Sequence, residues 1–430
     1  MRAAVLLVVF MSSGCLDLEP RGTFCASGDG AGKPGATWHD DVAPLMARKC
    51  MSCHREGGNA PMSLDTYAAV SELKASVRDA VETRRMPPWP PAPCCGEFQN
   101  PASLTADERA LLLGWIDDGV VEGNVQPAPV VPARPTLDAD VTLTMPEEYT
   151  PVATVNSEDT RCFLLETGFT ETRYVTGIDI KPGVREQMHH SLVLTVAESD
   201  LKKLQDLDAQ TAEPGWSCPG GILGSIKSGL GGSFFEPQTF DGRGFRVDPT
   251  DRVVLTMHYS LPAKSGFKAD RTSVQLRTQT APVTPIVTLS IYNPGWLVGG
   301  MPIAPDASST RFSYADSPGR IAGGASFDLH AVNLHMHERG KKGGVWILRA
   351  NGTQECLLQI DAWNHGWQGD YRLAKAIRLG PQDRLLVDCE FDNTVVTQRI
   401  IDGVKQKPRW LNWGEDQEMC VGFVTATRVE

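Results

Sequence analysis

Between Gln126 and Pro135 the chain reads Gln-Pro-Ala-Pro-Val-Val-Pro-Ala-Arg-Pro. Four prolines in ten residues remove backbone donors and fix φ, so neither a helix nor a central strand runs through this stretch; it forms an extended, semi-rigid linker. The textures on its two sides differ. Before it, Trp38 to Lys49, Leu64 to Thr83 and Leu104 to Gly119 carry apolar residues at helical spacing, and Thr105 followed by Glu108 predicts a capping box at the third helix. After it, short alternating or β-branched runs such as Val141–Thr144, Ser191–Val196 and Val253–Met257 are punctuated by Gly, Pro, Asn and Asp, as in antiparallel sandwiches. That part is too long for one sandwich, and prolines cluster again between Ala281 and Pro285. The expected architecture is multidomain: a small all-α domain over 37–124, a linker over 125–139, and two all-β antiparallel sandwiches over 140–284 and 285–430.

The amino terminus has the layout of an export signal. Met1 and Arg2 precede the apolar run Ala3 to Phe10, then Met11-Ser12-Ser13-Gly14-Cys15. The run is too short to span a bilayer as a mature helix, so residues 1–14 are expected to be a signal peptide. Cys15 after small residues resembles a bacterial lipoprotein signal, although Ser12 stands where such signals usually have Leu. Lipidation of Cys15, a flexible tether over 15–36, and a periplasmic or cell-surface location follow as expectations. Contact with a membrane is expected only through that lipid. Export permits disulfides.

The 41 basic residues against 52 acidic ones give a net charge of −11, which excludes a nucleic-acid module acting by bulk positive charge. The unusual part of the composition is 11 Cys, 9 His and 12 Met, the side chains that bind copper, iron and zinc. Cys50-Met51-Ser52-Cys53-His54 is a Cys-x-x-Cys-His motif; its two thiols can attach a haem and its His can ligate the iron. A redox dithiol and half of a zinc site are the competing readings. Met86, on the Pro-rich segment Arg84-Arg85-Met86-Pro87-Pro88-Trp89, is the candidate sixth ligand, with Met46, Met51 and Met62 as competitors. On these residues the domain resembles the small cytochrome c domains of exported bacterial oxidoreductases.

Five further histidines fall in three motifs: Met188-His189-His190-Ser191, Thr256-Met257-His258-Tyr259 and Leu334-His335-Met336-His337. Residues i and i+2 share one face of a strand, so His335 and His337 can grip one metal. Neighbours His189 and His190 point to opposite faces of a regular strand, and joint ligation needs a strand end, a bulge or strong twist. In order and surroundings these motifs, with Gly244-Phe245-Arg246-Val247 and Asp416-Gln417-Glu418-Met419-Cys420, resemble the copper type II monooxygenases, the family of peptidylglycine α-hydroxylating and dopamine β-monooxygenases. The resemblance covers Asp140 to the carboxyl terminus. It implies two jelly-roll sandwiches and two copper ions, one on His189, His190 and His258 that stores electrons and one on His335, His337 and Met419 where O2 is used on a substrate C–H bond. It also implies disulfides Cys162–Cys218 and Cys389–Cys420.

A type 1 copper site needs a Cys ligand between His and Met partners, and the sequence has no such run; zinc is disfavoured by the Met ligand. Cys25, Cys94, Cys95 and Cys356 remain unassigned, with a bridge from Cys25 to Cys94 or Cys95 as one option. His330, five residues before His335, is expected to face away from the metal in a continuous strand and to serve packing. His365 in Trp363-Asn364-His365-Gly366-Trp367 reads either as support for a ligand or as a packed core residue. Peptidylglycine enzymes anchor the peptide carboxylate with an Arg and a Tyr at positions held here by Asn333 and Phe423, which puts that substrate in doubt. Arg339, Lys341 and Lys342, just after the His-x-His pair, are candidate replacement anchors, but read rather as a solvated loop. The expected activity is an exported haem–copper monooxygenase that takes electrons from an external donor and acts on a small-molecule or peptide substrate. The alternative is a copper-binding or electron-transfer lipoprotein of the same fold without catalysis.

Overall fold

The computed structural model describes residues 30–429 apart from 57, 59, 61, 100, 153–157, 219–224, 232–235, 261–265, 318–323, 402 and 415–416. The expected signal peptide 1–14, Cys15, Cys25 and most of the tether 15–36 lie outside the described residues.

The first part is helical. A π-helical turn, Trp38–Val42, is capped by the Thr37 side chain and runs into α1 (Ala43–Lys49). The expected helix over 64–83 divides at Leu73, whose ψ of 9° leaves the helical range, into α2 (Tyr67–Glu72) and α3 (Lys74–Glu82). Helix α4 (Ala106–Asp117) starts with the expected capping box between Thr105 and Glu108, which satisfies two otherwise orphaned backbone donors. These helices close over a core that includes Trp38, Leu45, Met46, Met51, Val70, Leu112 and Trp115.

The rest is β structure, with one more helix. Its first half holds β1 (Val141–Thr144), β2 (Glu158–Leu165), β3 (Arg173–Lys181), β4 (Met188–Val196), α5 (Glu198–Asp208), β5 (Trp216–Ser217), β6 (Ile226–Gly231), β7 (Gln238–Thr239), β8 (Arg243–Val247), β9 (Arg252–Ser260) and β10 (Ser273–Gln279). Its second half holds β11 (Thr284–Ile291), β12 (Thr310–Asp316), β13 (Ser326–His335), β14 (Gly340–Leu348), β15 (Gln354–Ile360), β16 (Tyr371–Leu379), β17 (Arg384–Phe391), β18 (Ile400–Ile401), β19 (Val404–Lys405) and β20 (Val421–Val429). One sheet of the first sandwich has the order β5-β2-β9-β4-β6, and one sheet of the second has the order β12-β17-β14-β15. The largest sheet, β1-β10-β3-β8-β11-β20-β13-β16 with β7 beside β3, runs through both halves, and β18 and β19 form a small sheet of their own. The continuity rests on β11, which pairs β8 in parallel at Thr284 and Pro285 and then β20 along most of its length. Each half has its own apolar core, one including Phe163, Ile180, Leu255 and Leu276, the other Leu329, Val332, Leu334, Ile347 and Phe391.

The expected disulfides Cys162–Cys218 and Cys389–Cys420 are formed. Cys95 bonds Cys356, across a separation of 261 residues, rather than staying within the helical part. Cys94 is also disulfide-bonded. The Cys95–Cys356 bridge fastens a strap that lies along the edge of the second sandwich. Ala92 N donates to Gln359 O at 2.8 Å, Ala374 N to Glu97 O at 2.7 Å, and Gln99 N to Arg372 O at 2.8 Å. Gly96 permits the close approach: its φ is +76°, and an added Cβ would come within 2.5 Å of Leu357 O. Trp89 and Phe98 then pack on Tyr371 with ring centroids 5.3 and 5.8 Å away. The Pro-rich linker is anchored as well, by Arg134 bonding the buried carboxylate of Asp179 through two guanidinium nitrogens.

Candidate metal centre

The first imidazole pair is assembled by β4 and β9. Their register shifts between Met188 and His190, so the irregularity that joint use of His189 and His190 requires sits at His189. His190 is then the cross-strand partner of His258, and the two Nδ1 atoms lie 3.2 Å apart. The other nitrogen of His258, Nε2, is 3.0 Å from Glu158 Oε2 on β2. A neutral imidazole has one N–H; donated to that carboxylate, it leaves His258 Nδ1 bare and facing His190, the arrangement that supports a metal-ligating His.

The second pair comes from β13 and the turn after it. His335 and His337 have ring centroids 5.1 Å apart at an interplanar angle of 84°, as their i, i+2 spacing requires. His335 Nδ1 is 2.7 Å from Gln368 Oε1, and His337 Nδ1 is 3.1 Å from Gln417 O. Both partners are acceptors, so Nδ1 carries the proton in each ring and both Nε2 atoms are bare. Burial pushes these imidazoles down, His335 to about 3 and His337 to about 4, which keeps them neutral and ready to ligate. Met419 is 1% exposed and lies two residues before Val421, the register partner of His335. The neighbouring Glu418 carboxylate accepts from His337 N at 3.0 Å and Arg339 N at 2.8 Å, so the Met419 segment is bound directly to the His335–His337 turn. The Cys389–Cys420 bridge holds the same segment from its other side.

His365 stands between the two pairs. Its ring centroid is 5.9 Å from that of His258 and 6.2 Å from that of His337, and burial pushes it down to about 4. Its loop wraps the second pair, with Trp363 Nε1 donating to His337 O at 2.9 Å and Gln368 Nε2 to His365 O at 3.0 Å. Sequence reasoning left this role open, gave Glu418 no role beside Met419, and missed Glu158 and Gln368. The signal for His365 is its setting between two tryptophans on a loop, whereas Glu158 and Gln368 have no spacing that marks them. Among the described residues no three His, Cys, Asp or Glu side chains enclose an ion by themselves. Each pair therefore needs a further donor of another kind or position. The donor set fits copper on one observation above all: at His258, His335 and His337 an acceptor takes up one ring nitrogen and leaves the other bare, and Met419 is held at the second pair.

Cys50 and Cys53 are free thiols, and burial pushes Cys50 up to about 12 and Cys53 upward. An activated redox dithiol shows the opposite shift. His54 Nδ1 is 3.1 Å from Met62 O, which leaves His54 Nε2 bare. The motif lies close enough to Arg185 for thiol and guanidinium to act on each other electrostatically, and Arg185 is in the 3₁₀ turn Arg185–Gln187 that leads into β4. Met86 is partly buried just beyond α3, its N–H bonded to Ala80 O at 3.0 Å. Met46 and Met51 pack in the helical core, and Met62 is 40% exposed.

His330 packs and joins neither imidazole pair: a register shift between Leu329 and Ala331 turns it toward the first sandwich, where its Nδ1 accepts from Arg243 of β8 at 2.5 Å and its Nε2 lies 2.9 Å from Thr427 Oγ1. One expectation is corrected. Arg339, Lys341 and Lys342 are not a solvated loop: Arg339 is buried and bonds Gln398, while both lysines lie on β14 and pair with Glu390. Asn333 and Phe423 are register partners beside His335, and Asn333 Nδ2 donates to Asp370 Oδ1 at 3.2 Å.

No curated protein matches the chain. Two solved structures it is similar to, from infectious bursal disease virus, are a Gt-strain structure, 8% identical over 68% of each chain with a TM-score of 0.18, and a VP2 subviral particle, 9% identical over 67% of this chain and 75% of that one with a TM-score of 0.16. Likenesses this weak carry no argument. Residues 320–426 match the family described as copper type II ascorbate-dependent monooxygenase, C-terminal domain, and that stretch contains His335, His337, His365 and Met419.

Proposed function

We propose that the chain is an exported copper-dependent monooxygenase that hydroxylates a C–H bond of an organic substrate. In this reading R–H, O2, two electrons and two protons give R–OH and water. A first copper is held by His189, His190 and His258, and a second by His335, His337 and Met419. Bound copper supplies the one-electron steps and the handling of O2, which side chains alone lack. The protein's own part is to orient and to exclude water. Glu158 fixes His258, Gln368 and the Gln417 carbonyl fix His335 and His337, and the thioether of Met419 favours the reduced ion. The observation that carries the proposal is the convergence of two imidazole pairs, one from each sandwich, on the two sides of His365.

Electrons enter, in the same proposal, through a c-type haem attached to Cys50 and Cys53 and ligated by His54 and Met86. The nearness of Cys53 to Arg185 supports this, because Arg185 lies four residues before His189. An external donor reduces the haem. Asn333 and Phe423 leave no cation or phenol to hold a peptide carboxylate beside His335, so the substrate is of another class than peptidylglycine. Export by residues 1–14 and anchoring through a lipid on Cys15 complete the reading.

Metal analysis and a pyridine haemochrome spectrum of the purified chain test it, with one haem and two coppers per chain expected; zinc without haem would overturn it. Replacing Met419 by Ile distinguishes an oxygenase from a copper-binding lipoprotein. An oxygenase loses substrate-dependent O2 uptake while keeping the first copper, whereas a carrier has no such uptake in the parent chain.

A further inference from the structure

A cavity of about 220 Å³ lies where the strap, the first sandwich and the second sandwich meet, away from the imidazole pairs. Gln99 of the strap, Gln238, Phe240 and Arg243 of the first sandwich, and His330 and Arg372 of the second are among its lining residues. Two guanidiniums share this space. Arg243 is oriented by His330 Nδ1 at 2.5 Å and by Asp241 O at 3.3 Å. Arg372 is oriented by Thr239 O at 2.6 Å and by the Phe240 ring, 5.9 Å from its central carbon. Each guanidinium carries five N–H donors, so most of those donors have no acceptor among the described residues. Neither has a carboxylate within ion-pair distance among the described residues. Asp241 is exposed and offers Arg243 only its carbonyl; Asp370, which also lines the cavity, is bonded to Asn333. Burial and then the neighbouring Arg243 push Arg372 down, with Asp241 pushing the other way. Guanidiniums that share a cavity repel each other, and an anion between them offsets that repulsion.

We propose that this cavity binds a small organic carboxylate, gripped by Arg243 and Arg372 and closed over by Gln99. The volume suits an acid of a few carbon atoms. The site is distinct from the imidazole cleft: Ala331 and Thr425, which line it, are paired four residues along β13 and β20 from His335 and Val421, about 13 Å at strand rise. Its ligand touches all three parts of the molecule at once.

The test is isothermal titration of the full-length chain with acetate, succinate, benzoate and inorganic phosphate in separate runs. Saturable binding of at least one carboxylate is expected, weakening about 10- to 100-fold in Arg243→Met and in Arg372→Met. Ala376→Trp keeps both charges and places bulk at an exposed lining position, so it should abolish binding in a folded chain and guards against loss through misfolding. Binding of phosphate alone, absence of saturable binding by any carboxylate, or undiminished binding in a folded Arg372→Met or Ala376→Trp chain would overturn the proposal.

Discussion

Glu158 shows how one side chain can decide what an imidazole does. Its contact at 3.0 Å takes up His258 Nε2 and turns Nδ1 toward His190, so the carboxylate sets the tautomer although it is not itself one of the assigned ligands. Replacing Glu158 by Gln keeps the size and allows the amide to present either a donor or an acceptor, so the tautomer is no longer imposed. Copper affinity of the first site should fall about 10- to 100-fold while the second site is unchanged, as read by competition with a copper chelator; a first-site affinity equal to the parent's would refute the role. Glu158 could not be found from sequence, because the contact joins β2 to β9 across 100 residues. His335 and His337 were legible because the spacing that marks them is also the spacing that places them on one face. For His189 and His190 the sequence stated only the condition, a local irregularity, and the register of β4 on β9 meets it.

At the level of elements, the register shift in β13 has the largest effect. Strand periodicity assigns His330 to the side away from His335, and one shifted residue brings it toward the first sandwich instead. There it accepts from Arg243, and burial, followed by the Arg243 charge, holds its pKa at about 4 against an ordinary 6.5. Between those values the unfolded chain binds a proton that the folded chain refuses. Stability is therefore lost as pH falls from 6.5 toward 4, by at most about 1.4 kcal/mol per pH unit from this residue. His330→Asn should lose less stability than the parent between pH 7 and pH 5, measured as the shift in urea midpoint; equal shifts would show that His330 titrates normally in the folded chain. The helical part was more legible than the β part, since capping at Thr105 and the spacing of α4 are local. The pairing of the strap with the sandwich edge depends on contacts distant in sequence.

For the molecule as a whole, the sequence made the division into a helical part and two sandwiches visible, because prolines and texture changes are local signs. It did not show that one sheet passes through both sandwiches by way of β11, nor that the helical part is fastened to the far sandwich rather than to the near one that the linker reaches first. The Cys95–Cys356 bond has a further outcome if the chain meets a protease. Residues 126–130 are largely exposed, and a cut there would separate two polypeptides that remain joined through sulfur. The nicked protein should run as one band without reductant and as two bands with it, and should retain its spectroscopic properties until the bridge is reduced. A chain built this way can lose the continuity of its backbone and still keep its helical part joined to the sandwiches at any dilution.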